Sequence, residues 1–207
     1  MTHPDTNETL KREFTDDLEK MRSGVWLYGV RPQISEALRQ TRELLHRFNR
    51  LSPAREEERE RILRRLFGRL GSPACIHSPF HCDFGTQIYI GDHFYGNFNL
   101  TILDEAPVTI GNHVYIGPNV GIYTVSHALL PDQRNAGVMR SLPVTIGNDV
   151  WIGGNCVVTQ GVTIGAGSVI GAGSVVTHDI PAGVLAFGSP CRVVRPITEA
   201  DRIGQVF

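Results

Sequence analysis

The sequence predicts a mainly β protein, a parallel β-helix of hexapeptide repeats preceded by an N-terminal α-helical segment. Three observations predict it. Between Val144 and Val176, aliphatic residues recur every six positions (Ile146, Ile152, Val158, Ile164, Ile170, Val176), and Gly147, Gly153, Gly165 and Gly171 follow four of them. A period of six fits neither an amphipathic helix, at about 3.6, nor a half-buried strand, at about 2. It fits a coil whose short parallel strands each fill one side of a triangle. The 22 glycines of the 207-residue chain suit the corners of such a coil, where glycine takes conformations closed to other residues. Upstream, from Pro32 to Leu70, the apolar pattern is instead helical.

Residues 1–20 carry no apolar period and read as a polar tail. The helical segment spans 21–72. Ile34, Leu38, Thr41, Leu45 and Phe48 fall on one helical face, and Asn49 with Leu51-Ser52-Pro53 ends that helix. A second helix is expected to start with Ser52 as N-cap and Pro53 in its first turn. Glu56, Glu57 and Glu58 near its start and Arg64, Arg65 and Arg69 near its end suit the helix dipole. Ile62, Leu63, Leu66, Phe67 and Leu70 supply its buried face, and Gly71 with Pro73 stops it.

The coil is expected over 73–196. Phe84, Ile90, Gly96 and Ile102 keep the six-residue spacing, and Ile110, Ile116 and Ile122 resume it after an offset at Asp104–Pro107. The helical segment is suited to cover one open end of the coil. Between 123 and 143 the period fails, with Pro131, Gly137 and Pro143 in the gap. An interruption this long in a compact solenoid is usually functional, and His127 stands near its start. Residues 197–207 form a C-terminal tail.

A hydrophobic fraction of 41% supports a sizeable core, and a net charge of −1 offers no basic surface for nucleic acid. No signal peptide or long apolar run is present, so neither a membrane nor export is indicated. Cys75, Cys82, Cys156 and Cys191 show no metal-site spacing, and free thiols in a cytoplasmic protein are the simplest reading. His77 and His81 stand four apart beside Cys82, but Pro79 between them argues against the helix that would make them a metal pair.

HRFN (His46–Asn49), FYGNFNLTILDE (Phe94–Glu105), IGPNV (Ile116–Val120), Ser126-His127, VTIGNDVWIGG (Val144–Gly154), VIGAGSVVTHDIP (Val169–Pro181) and GSPCRVVR (Gly188–Arg195) together resemble the maltose, galactoside and nodulation-factor O-acetyltransferases of the hexapeptide-repeat superfamily. The resemblance covers roughly Met21 to Pro196. It implies a left-handed coil, a homotrimer, and acetyl-CoA as co-substrate in a groove between subunits, with no metal. It implies His127 as catalytic base, a role for which imidazole is suited because its ordinary pKa lies near neutral. It further implies that Asn97 binds the acceptor and assists catalysis, with Glu105 and Tyr95 in the acceptor pocket. On the coenzyme side it implies Trp151 as a wall, Gly154 and Ala172 as points of close approach, and Thr177, His178, Arg192 and Arg195 near the phosphates. Guanidinium suits phosphate by its bidentate geometry.

Several positions depart from the family pattern. Gly29 and Leu38 stand where the galactoside enzyme has an acceptor-binding aspartate and arginine, and neither side chain can hydrogen-bond a sugar. Glu105 replaces an aspartate, and His178 stands where lysine is usual. Asp104 is an alternative to Glu105 if the offset turns it outward. The expected function is acetyl transfer to a hydroxyl of a sugar or oligosaccharide. The alternatives are another small acceptor on the same fold (an amino acid, amino sugar or antibiotic), a lyase like the γ-type carbonic anhydrases, or a non-catalytic assembly platform. The carbonic anhydrases use an H-x4-H pair that this chain lacks.

Overall fold

The computed structural model describes residues 16, 19–28 and 32–205. Helix α1 (Pro32–Arg50) and helix α2 (Glu56–Leu66) precede the coil. Helix α1 buries Ile34, Thr41, Leu45 and Phe48, the face that its periodicity predicts. Its end is bolted to the coil by Asn49, whose amide donates to the Phe80 carbonyl and accepts from the Phe80 N–H, both at 2.9 Å. Helix α2 starts later than expected. Its N-cap is Arg55, without a side-chain cap bond, and Ser52 only accepts from the Ala54 N–H at 3.3 Å in the turn before it. Helix α2 also ends earlier, because Arg69–Leu70 already pairs with Tyr89–Ile90 as the first strand of the coil.

The coil has three faces. Face one stacks Arg69–Leu70, Ile88–Ile90, Val108–Ile110, Val144–Ile146 and Thr163–Ile164. Face two stacks Ala74–Ile76, Phe94–Gly96, Tyr115–Ile116, Trp151–Ile152, Val169–Ile170 and Val184–Phe187, and closes with Arg192–Pro196 running antiparallel. Face three stacks Phe80–Cys82, Leu100–Leu103, Gly121–Tyr123, Val157–Val158 and Val175–Val176. Up to Val184–Phe187 the chain progresses from face one to two to three. The inward residues predicted from the period (Ile146, Ile152, Val158, Ile164, Ile170, Val176) are all buried to within 1% exposure. Each contributes about 1.5–3 kcal/mol of apolar burial, and like stacks on like, as in Ile110 on Ile146 on Ile164.

Corner geometry follows from local sterics. Asn99, Asn119 and Asn155 adopt φ of 58–60° at the corner between faces two and three, a left-handed conformation that asparagine tolerates better than most residues. Their side chains form a ladder, Asn99 donating to Asn119 at 2.8 Å and Asn119 to Asn155 at 3.1 Å. Phe84 does not behave as its spacing suggests. Cys82 is the inward residue that pairs with Ile102, and Phe84 leaves the coil to pack with Met21 and Ile34 of the helical segment.

Candidate active site

The steps between successive inward residues are six at every turn across the corners between faces one and two and between faces two and three. Across the corner between faces three and one they vary. Cys82 to Ile90 and Ile102 to Ile110 are eight residues each, Ile122 to Ile146 is twenty-four, Val158 to Ile164 is six and Val176 to Ile180 is four. The uneven steps of the coil are thereby stacked at one corner.

The first two long steps bring together three carboxyl groups. Asp104 is fully buried, and its oxygens accept from the N–H groups of Asp83, Phe84 and Gln87 at 3.1, 2.9 and 3.3 Å. Burial still pushes its pKa up to about 6, against those backbone bonds. Asp104 therefore braces the corner from inside and does not take the place of Glu105. Glu105 lies beside Asp83, with one oxygen enclosed and unpartnered. Burial first, and the adjacent Asp83 carboxyl second, hold Glu105 well above the usual carboxylate range. Gln87 ties the corner to the helical segment, donating to the carbonyls of Asp104 and Glu105 at 2.9 and 2.8 Å and accepting from Arg22 at 2.6 Å.

The twenty-four-residue step, which contains the aperiodic 123–143, is a structured excursion rather than a plain loop. Val125–His127 pairs antiparallel with Val138–Ser141, which pairs in turn with Leu27–Tyr28, and Pro131–Asn135 forms a helical turn at the tip. His127 stands at the end of its strand, opposite Met139, and its side chain is exposed. Beside it, Ser126 accepts from Gln160 at 2.6 Å, and the Arg140 guanidinium lies 5.0 Å above the Trp26 ring. Buried polar atoms of Arg140, Ser141 and Gln160 have no partner among the described residues, an unusual concentration for a folded chain.

Asn97, Gly154 and Ala172 lie at the other corner, between faces two and three. Asn97 follows the strand Phe94–Gly96, and its side-chain oxygen accepts from the Phe98 N–H at 2.8 Å. Tyr95 points outward on face two, its ring 5.3 Å from His77 and 6.2 Å from Tyr115. Trp151 continues that outward row and is 56% exposed. Gly154 and Ala172 follow the stacked residues Gly153 and Gly171. A β-carbon at Gly154 would meet the Pro118 carbonyl at 3.1 Å, a tight contact with the neighbouring coil.

Thr177 and His178 return to the variable corner, exposed and bonded to each other at 2.9 Å. Arg192 donates to its own neighbour's carbonyl, Cys191, at 2.8 Å. Arg195 is engaged more firmly, by two bonds of 2.8 and 2.6 Å to Asp201, which also caps the turn that starts at Thr198. That pair raises the Arg195 pKa and holds Asp201 down at about 2. Asp201 was outside the sequence-derived site.

One chain therefore does not assemble the predicted set. His127, Glu105, Thr177 and His178 stand at one corner, and Asn97, Gly154 and Ala172 at another. Face three lies between, and at about 3.3 Å per residue a strand such as Leu100–Leu103 with its flanks spans on the order of 15 Å. No hydrogen bond or ring contact joins His127 to Asn97 among the described residues. Leu38 is half-buried against Ile34 and Met21, Gly29 lies outside the described residues, and a cavity of about 660 Å³ beside helix α1 is lined by none of the predicted site residues. His81 points outward and Cys82 inward on their strand, and among the described residues no cluster of three histidine, cysteine or carboxylate side chains could hold a metal. No described helix is long and apolar enough to cross a membrane. Sequence reasoning also missed Asp83 and Gln160, which no motif marks and which only the stacking of coils places beside Glu105 and Ser126.

Comparison with known proteins adds the rest. Residues 20–71 match the family described as the maltose acetyltransferase hexapeptide capping motif, and residues 143–178 match the bacterial transferase hexapeptide of six repeats. The chain is 43% identical to the galactoside O-acetyltransferase of Escherichia coli, over 89% of this chain and 91% of that protein. It is 47% identical to nodulation protein L of Rhizobium meliloti, over 84% of this chain and 96% of that protein. A solved hexapeptide-repeat acetyltransferase from Vibrio cholerae, complexed with acetyl coenzyme A, superimposes with a TM-score of 0.81 at 45% identity, covering 88% of this chain and 99% of that one.

Proposed function

Since the chain belongs to the family of maltose and galactoside acetyltransferases and is an acetyl-CoA-dependent O-acetyltransferase of the hexapeptide fold, we propose that it acetylates a hydroxyl of a sugar or oligosaccharide, with His127 as general base, in sites shared by neighbouring subunits of a cytoplasmic homotrimer. The observation that carries this reading is the division of the predicted residues between two corners. The excursion presents His127 outward at one corner, while Asn97 stands at the other and Tyr95 points outward from face two beside it. A second copy, related by rotation about an axis outside the coil and parallel to it, would set one corner against the other, and closed symmetric oligomers are the common case.

In the proposed reaction the acceptor oxygen attacks the carbonyl carbon of the acetyl thioester while His127 takes its proton. N–H donors near the carbonyl oxygen hold the negative charge. The carbon–sulfur bond then breaks, the proton passes from His127 to the departing sulfur, and the products are the acetyl ester and free coenzyme A. Asn97 orients the acceptor through an amide that both donates and accepts. Gly154 and Ala172 leave backbone open to the pantetheine arm, with Trp151 beside it. Arg192 offers positive charge to the phosphates and His178 a ring nitrogen to hydrogen-bond them, while Arg195 joins by giving up Asp201.

An amine-bearing acceptor is the second reading. It is favoured by Asp83 and Glu105, an acidic pair that no cation neutralises among the described residues. The test is thiol release from acetyl-CoA across sugars, oligosaccharides, amino sugars and amino acids. Release stimulated by neutral sugars and lost in His127→Ala supports the proposal. Release stimulated only by amines replaces it with the second reading, and a variant within a few-fold of wild type removes His127 as the base.

A further inference from the structure

Between helix α2 and faces two and three, near the coil's N-terminal end, lies a cavity of about 400 Å³, within the range of small-molecule pockets. It adjoins the predicted acceptor residues without containing them. Phe98, one residue beyond Asn97, forms one wall and is 50% exposed. His77 forms another, its ring 4.8 Å from Phe98 and 5.3 Å from Tyr95. Among apolar neighbours such as Leu63 and Ile76, the lining also carries polar groups that are underused. Among the described residues the Ser78 hydroxyl is enclosed without a partner, and the His77 ring nitrogens make only a long polar contact of 3.8 Å to the Cys75 sulfur. Glu56 also faces the cavity. The floor is rigid, because Arg59 is fixed by the carbonyls of Phe48 and Ile76 at 3.2 and 3.1 Å and by the Phe48 ring at 4.2 Å.

An aromatic face beside unpaired hydroxyl, imidazole and carboxylate groups is the surface that a pyranose ring needs. Its C–H side packs on the aromatic, and its hydroxyls satisfy polar atoms that are otherwise costly to leave enclosed. We propose that this cavity is a second sugar subsite, which holds the ring next to the one acetylated and makes the enzyme prefer oligosaccharide over monosaccharide acceptors. The inference rests on the reading that Asn97 binds a sugar acceptor. Phe98 and Ser78 are its specificity-determining residues, and neither takes part in the acetyl transfer.

The experiment compares kcat/KM for a monosaccharide and for its matched di- and trisaccharides in wild type, Phe98→Ala and Ser78→Ala, with calorimetric binding of the same sugars in the absence of acetyl-CoA. The expected result is a preference of roughly tenfold or more for the longer acceptors, carried mainly by KM. Phe98→Ala should remove most of it while leaving the monosaccharide rate within about twofold. Equal kcat/KM for short and long acceptors in the wild type overturns the subsite, and so does a preference that survives both substitutions with the fold intact by circular dichroism. If no sugar of any length is acetylated or bound, the sugar reading itself has failed and the subsite falls with it.

Discussion

At the asparagine-laddered corner between faces two and three the chain advances by six residues on every turn, whereas at the corner between faces three and one it advances by eight, eight, twenty-four, six and four. The same strands feed both corners, so strand composition does not explain the difference. At the regular corner the ladder Asn99–Asn119–Asn155 continues the stacking, with each residue held in the same left-handed conformation. At the variable corner, extra residues are supported one coil at a time by buried polar side chains, Asp104 below and Thr124 above, the latter accepting from Ala106 at 3.0 Å and donating to Leu103 at 2.7 Å. Register is kept by the first corner, which leaves the second free to carry side chains that serve no packing purpose.

The contrast can be tested from both sides. His127→Ala should lower kcat by about 10²–10⁴-fold while the melting temperature stays within a degree or two, as measured by steady-state kinetics and calorimetry. Ile152→Ala, in the regular stack, should do the reverse. Loss of a fully buried side chain costs about 2–5 kcal/mol, read as a lower denaturation midpoint with KM for acetyl-CoA unchanged in the folded fraction. The division of the site between corners predicts complementation. Inactive His127→Ala and Asn97→Ala chains, co-assembled, should regain measurable activity because some shared sites contain both intact residues, and assembly with no recovery would place both residues in one chain's site.

Smaller effects concern charge. The folded pKa of Asp104 is raised from 3.8 to about 6, and that of Glu105 is raised also. A raised carboxyl contributes stability that is complete below its unfolded pKa and is lost as pH climbs through the folded one. For Asp104 that window runs from about 4 to 6. Glu105→Gln should therefore raise the melting temperature at pH 8 by a few degrees, corresponding to about 1 kcal/mol, and the gain should shrink towards pH 5. Asp201→Asn is expected to be the mildest. Releasing Arg195 from an exposed pair should lower KM for acetyl-CoA by about two- to fivefold, and the change should vanish with dephospho-CoA thioester if the 3′-phosphate is the partner.

The coil was legible because its signal is local and repeated: each turn restates where the inward residue stands. Phe84 shows the limit of that signal. It falls on the period by coincidence of an eight-residue step, and only strand pairing identifies Cys82 as the inward residue. Ser52 carried the right chemistry for a cap but sits in a turn before the helix. The hairpin at 125–141 was illegible because its edge is completed by Leu27–Tyr28, about a hundred residues upstream, and no local pattern reports such pairing. His127, Asn97 and Glu105 could be named from motifs, yet their distribution over two corners depends on counting coils. Which of the adjacent carboxylates Asp104 and Glu105 turns inward follows from the backbone N–H groups waiting for it, a matter of three-dimensional accounting.

The variable corner also bears on how such a chain can change. Lengthening the connection there leaves the adjoining strands in register, since neighbouring turns already differ by as much as eighteen residues in the same place. The turn at Thr159–Gly161, where the step is only six, is thus a docking point for grafted segments: a foreign peptide inserted there would project beside His127 without a strand having to slip. New acceptor pockets could in this way be acquired one coil at a time, by substitution of loops on a frame that does not register the exchange.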